Sequence, residues 1–116
     1  MASSLITVAE TSGFMRQAEA VWSEDERQEF VDYIARNPAV GDVIPGTGGI
    51  RKTRWSRAGS GKRGGVRVIY FFYNQNMPLF LLALYAKATR EDLSPETKKA
   101  LTELAGRIKR KARAEG

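Results

Sequence analysis

Two apolar runs, residues 66–73 and 79–86, are rich in β-branched and aromatic side chains and are separated by a short polar link containing Asn74-Gln75-Asn76. Such runs read as two strands of an antiparallel pair joined by a tight hairpin connection. A third run, residues 50–56, reads as a strand as well, and Gly59-Ser60-Gly61-Lys62-Arg63-Gly64-Gly65 links it to the second as a glycine-rich, basic hairpin tip.

Upstream, residues 5–9 read as a short first strand and residues 14–20 as a helical segment. Ser23-Glu24-Asp25-Glu26 fits a capping box, Phe30, Val31, Ile34 and Ala35 recur at helical spacing, and Asn37-Pro38 stops the helix. Residues 41–49 then form a loop whose four glycines and Pro45 suit a crossing from helix to sheet. At the other end Ser94-Pro95 caps a last helix with an apolar stripe of Leu101, Leu104, Ala105 and Ile108. The order is β-α-α-β-β-β-α, an α+β arrangement. At 116 residues, 42% hydrophobic and 28% charged, with no internal repeat or dividing linker, residues 1–116 read as a single domain.

Composition removes several kinds of chemistry. Without cysteine there is no disulfide, thiolate nucleophile or Cys-ligated zinc, and without histidine there is no Ser-His or Cys-His pair and no imidazole base. No metal or cofactor is expected, and any proton transfer falls to Lys, Arg, Tyr or carboxylates. The N-terminus shows no basic leader and no run approaches a membrane span, so a cytoplasmic protein with no membrane partner is expected.

The formal charge of +6 conceals a division. Residues 1–48 hold three basic and eight acidic residues, net −5, whereas residues 49–116 hold sixteen basic and five acidic, net +11. Between Arg51 and Arg67 there are seven cations (Arg51, Lys52, Arg54, Arg57, Lys62, Arg63 and Arg67) and no acid. Such a field suits a polyanion. Strand alternation puts Lys52 and Arg54 on one face, about 6.5–7 Å apart, with Arg51 and Thr53 pointing the other way. If the three strands are neighbours, Lys52, Arg54, Arg67, Tyr85 and Lys87 collect on one surface.

That surface is equipped to hold and cut RNA. Cleavage beside a 2′-hydroxyl needs a base on that oxygen, charge stabilisation at phosphorus and an acid for the leaving 5′-oxygen. A lysine among other cations gives up its proton more readily and can act as base, while guanidinium groups stabilise the developing charge and Tyr85 offers a ring for stacking or a hydroxyl. Lacking imidazole, such a set is slow on free RNA and calls for something else to present the substrate.

Plainer readings stand beside this one. Basic residues on a sheet edge discourage edge pairing, Tyr85 has apolar neighbours Leu81 and Ala83, and the closing run 109–113 fits a solvated, fraying helix end. Two near-matches to phosphate loops, at Gly46-Thr47-Gly48-Gly49-Ile50-Arg51-Lys52-Thr53 and Gly59-Ser60-Gly61-Lys62-Arg63, fail both on residues and on their strand context.

The succession Asn37-Pro38, Gly41-Asp42, Val43-Ile44-Pro45-Gly46-Thr47-Gly48-Gly49-Ile50-Arg51-Lys52, then Gly61-Lys62-Arg63-Gly64-Gly65-Val66-Arg67-Val68-Ile69-Tyr70, resembles the RelE superfamily of toxins, in particular its HigB-like branch. Leu84-Tyr85-Ala86-Lys87 and Asp92-Leu93-Ser94 continue the likeness, which spans roughly residues 24–105. The resemblance implies a twisted antiparallel sheet flanked by helices and a toxin of a type II toxin-antitoxin pair that cleaves mRNA in the ribosomal A site. Its partners would be the ribosome, mRNA and a cognate antitoxin with a helix-turn-helix domain. By motif, Lys52 and Arg54 correspond to a basic pair containing the candidate base, Arg67 to the arginine at the scissile phosphate, and Lys87 to a position beside a further cation. The arginine expected next is Ala88, and the tyrosine of some members aligns near Ser94. Arg51, Arg57, Lys62 and Arg63 are candidate RNA contacts. A non-enzymatic nucleic-acid-binding protein and a gyrase-inhibiting toxin on the same fold are the alternatives.

Overall fold

Nearly every side chain from Val66 to Phe71 is buried, although successive residues of a strand point to opposite faces. That pattern places the run at the centre of a sheet covered on both sides. In the computed structural model, which describes residues 6–56, 65–86 and 93–115, the elements run β1 (Val8–Glu10), α1 (Ser12–Val21), α2 (Glu24–Arg36), β2 (Asp42–Val43), β3 (Ile50–Trp55), β4 (Val66–Phe71), β5 (Leu79–Ala86) and α3 (Pro95–Glu115). The strands form one sheet in the order β1-β5-β4-β3-β2.

The three long strands pair antiparallel, as their sequences predict. Two features depart from the expected arrangement. First, β1 pairs parallel to β5, so the sheet is mixed, and Leu79 N donates to Thr7 O at 2.8 Å to start that ladder. Second, Asp42–Val43 within the glycine-rich loop pairs antiparallel with β3. Two residues carry no readable periodicity; their pairing is fixed by partners elsewhere, such as the Ile44 N to Ile50 O bond of 2.8 Å. β4 also ends at Phe71 rather than Tyr73, because Asn74 Oδ1 accepts from Asn76 N at 2.8 Å and turns the chain early.

α2 and α3 start at the caps read from the sequence, whereas α1, expected over residues 14–20, starts earlier, at Ser12. Thr11 Oγ1 accepts from Phe14 N to begin α1 and donates to Leu81 O at 2.9 Å, tying that helix start to β5. Ser23 and Glu26 make the reciprocal capping box of α2. Arg27 donates to both oxygens of Glu10 at 2.7 Å and also bonds Glu24, which fastens α2 to β1 and holds the Glu24 carboxyl below its ordinary range. Ser94 Oγ accepts from Thr97 N at 3.1 Å, so α3 begins on a capped serine followed by proline.

Each face of the sheet has its own core. Phe14, Ala18, Trp22, Phe30 and Ile34 from α1 and α2 pack on Val66, Val68, Tyr70, Leu79, Leu81 and Leu84. On the other face Ala105, with Leu101, Leu104 and Ile108 beside it, packs on Ile50, Ile69, Phe71, Leu82 and Tyr85. The apolar stripe of α3 ends at Ile108, and the helix extends beyond it to Glu115. Arg107 with Lys111 and Lys109 with Arg113 are like-charge pairs four apart, each destabilising by roughly 0.2–0.5 kcal/mol. Among the described residues no helix is long and apolar enough to cross a membrane.

Candidate nucleic-acid interface

The pairing register decides which cations meet. Arg54 lies directly opposite Arg67, and Arg67 directly opposite Tyr85, so the three form a row across β3, β4 and β5. Lys52 sits two residues before Arg54 on the same face, between Ile69 on β4 and Asp42 on β2, so an acid stands opposite it at the sheet edge. Directly opposed residues have Cβ atoms about 4.5–5.5 Å apart, and like charges at that separation oppose pairing. No residue of β3, β4 or β5 is acidic, so none of these strands supplies a compensating charge. Arg67 is also the single charge in a central strand, between Val66 at 6% and Val68 at 0% exposure. Arg54 and Arg67 thus stand as directly opposed guanidinium groups across β3 and β4.

Arg54 is exposed, and Lys52 and Arg67 are half-buried. The row therefore presents two planar forks and an ammonium group to one side of the molecule, the geometry that suits phosphate oxygens. Tyr85 differs. Its ring is 7% exposed and packs with Ile50, Ile69, Phe71 and Leu82, so it forms the floor beneath the row. The expected stacking surface for a base is not what this ring offers, because its apolar neighbours on the same face close over it.

Arg51, a candidate RNA contact, faces away from the row, opposite Tyr70. Its Nη1 donates to Gly41 O at 2.7 Å and to Ala39 O at 3.3 Å. Tyr70, fully buried, donates its hydroxyl to Pro38 O at 2.9 Å and accepts from Gly41 N at 2.8 Å. A Cβ on Gly41 would lie 2.9 Å from the Tyr70 ring, so only glycine lets the chain come this close. Together Arg51 and Tyr70 clasp the segment that leads into β2. Among the remaining candidates, Arg57, Lys62, Arg63 and Lys87 lie outside the described residues.

Burial pushes the Tyr70 phenol above its ordinary value of 10.0. A proton held more tightly in the folded state stabilises fully below the unfolded value, and that stabilisation is lost as pH rises through the folded one. Tyr70→Phe strands a buried N–H and a carbonyl, so a loss of about 1–3 kcal/mol at neutral pH is expected. In urea melts at increasing pH, the gap between parent and variant should narrow above about pH 10. A constant gap would contradict the assignment.

Sequence reasoning missed one contact on the other side of the loop. Lys109 Nζ donates to Gly48 O at 2.8 Å, fixing α3 to the turn before β3. Gly48 adopts φ of 79°, which marks a special turn, but no sequence signal connects it with a lysine 61 residues later.

The charge division of the sequence is also a division in space. The acidic segment forms α1 and α2 on one face of the sheet, and the cation row and α3 occupy the other. Comparison with known proteins points the same way. A family model described as the RelE toxin of the RelE/RelB toxin-antitoxin system matches residues 14–115. In three dimensions the chain is similar to a double arginine-to-alanine mutant of the E. coli toxin RelE in the free state. The TM-score is 0.54 at 10% sequence identity, over 76% of this chain and 90% of that one, a likeness of fold.

Proposed function

Because this chain belongs to the RelE toxin family of toxin-antitoxin systems, we propose that it is a ribosome-dependent mRNA endonuclease acting through Lys52, Arg54 and Arg67. Family membership implies a cognate antitoxin as partner. The observation that carries the catalytic reading is the Arg54–Arg67 opposition across β3 and β4, neither of which holds an acid.

In the proposed reaction the 2′-hydroxyl of the message gives its proton to Lys52 and attacks the adjacent phosphorus. Arg54 and Arg67 hold the non-bridging oxygens as negative charge grows on them. The bond to the 5′-oxygen breaks and that oxygen takes a proton from water, leaving a cyclic phosphate and a 5′-hydroxyl. The ribosome supplies the in-line alignment that a site without imidazole cannot enforce on mobile RNA.

Mapping message 3′ ends in a translating extract tests this. New ends should appear when the protein is added and vanish when translation is blocked. Intact messages accompanied by DNA breaks would transfer the toxin to a different target, and salt-dependent RNA binding without new ends would leave it a binding protein.

A further inference from the structure

The last two turns of α3 are unexplained by packing. Ile108 is the final residue of the helix in the apolar cluster, yet residues 109–115 continue it for about 10 Å. The direction of this extension is set by Lys109, whose ammonium is anchored on Gly48 O. Arg107, Arg110, Lys111 and Arg113 are exposed, and no acid stands between Glu103 and Glu115. A helix C-terminus carries roughly half a negative charge, which one basic residue offsets. Four exposed cations exceed that need, and their mutual repulsion works against the helix they sit on.

We propose that this end of α3 is a second RNA-docking arm, in which Arg107, Arg110, Lys111 and Arg113 contact backbone phosphates away from the linkage that is cut. The choice of RNA rests on the endonuclease reading, since α3 covers the same face of the sheet as the cation row. From Gly48, where the arm is anchored, to Arg54 is six residues, the last of them in β3, so the two lie within about 20 Å of each other. One folded RNA can therefore touch both. Cations three and four residues apart on a helix rise about 4.5–6 Å along its axis, a regular ladder that matches a repeating polyanion. A contact of this kind reads charge and no sequence, so it contributes affinity and leaves the chemical step untouched.

The test uses the full-length chain and a 2′-O-methyl RNA hairpin, which cannot be cleaved beside a 2′-hydroxyl. Binding is measured across a salt series for the parent, for R107Q/R110Q/K111Q/R113Q and for R107K/R110K/R113K. The glutamine variant should bind at least about tenfold more weakly at low salt, with a log–log salt slope shallower by about three, while the lysine variant keeps the parental slope. Parental affinity and slope in the glutamine variant would overturn the proposal. So would equal loss in the lysine variant, because a phosphate backbone reads charge. Cleavage of ribosome-bound message at saturating protein should be unchanged in the glutamine variant. Failure of the parent to cut any message would instead strike the endonuclease reading, and hairpin binding reports on the arm separately.

Discussion

Arg67→Ala is expected to slow message cleavage by about 10²–10³-fold while leaving a folded protein. Arg67 stands in the middle of the row, opposite Arg54 on one side and Tyr85 on the other. Any phosphate held between the strands meets its fork, and no neighbour on β4 carries a charge to replace it. The same position explains why folding should survive. Alanine removes a half-buried stem but also relieves the repulsion from Arg54, two effects of opposite sign. Single-turnover cleavage of ribosome-bound message gives the rate and a urea melt gives the stability. Arg67→Lys should fall between parent and alanine, since it keeps the charge and loses the fork. A parental rate in Arg67→Ala would remove this residue from the chemistry.

Phe30→Ala should be the most destabilising of the substitutions considered, at about 3–5 kcal/mol. Phe30 has 0% exposure on α2, and its ring lies 5.4 Å from both Trp22 and Trp55, edge-on to the latter. It joins the end of α1, the middle of α2 and the end of β3. Truncation leaves a void walled by large rings that cannot collapse without moving a helix. Against a total stability of roughly 5–15 kcal/mol, such a loss puts the variant near its folding limit. Urea melts with an unchanged m-value check this, and a loss below about 1.5 kcal/mol would show that the rings repack.

Different parts of this molecule were legible in the sequence to different degrees. Caps declare themselves locally, so Ser23 with Glu26 and Ser94 with Pro95 marked helix starts that the structure contains. Strand alternation likewise separated Lys52 and Arg54 from Arg51 before any pairing was known. What alternation cannot supply is register. The opposition of Arg54 and Arg67 depends on which residues of β3 and β4 align, a matter settled by packing on both faces. The parallel pairing of β1 with β5 joins residues some 70 apart, beyond any local signal. Of the apolar neighbours that alternation gives Tyr85, Ala83 shares its core but Leu81 faces the other one, because the β4–β5 register shifts at Ile69/Tyr70; Leu82, Ile50, Ile69 and Phe71 bury the ring instead. The role of Arg51 was hidden for another reason: its acceptors are the carbonyls of Ala39 and Gly41, and backbone acceptors leave no mark on composition.

In the proposed mechanism Lys52, Arg54 and Arg67 act together on one ribonucleotide linkage. End mapping on ribosome-bound message, run side by side for the parent and for the K52A/R54A/R67A variant, tests it most directly. The parent should yield discrete new 3′ ends and the triple variant none, with both proteins folded and bound to the ribosome. Ends of equal abundance from the triple variant would contradict it.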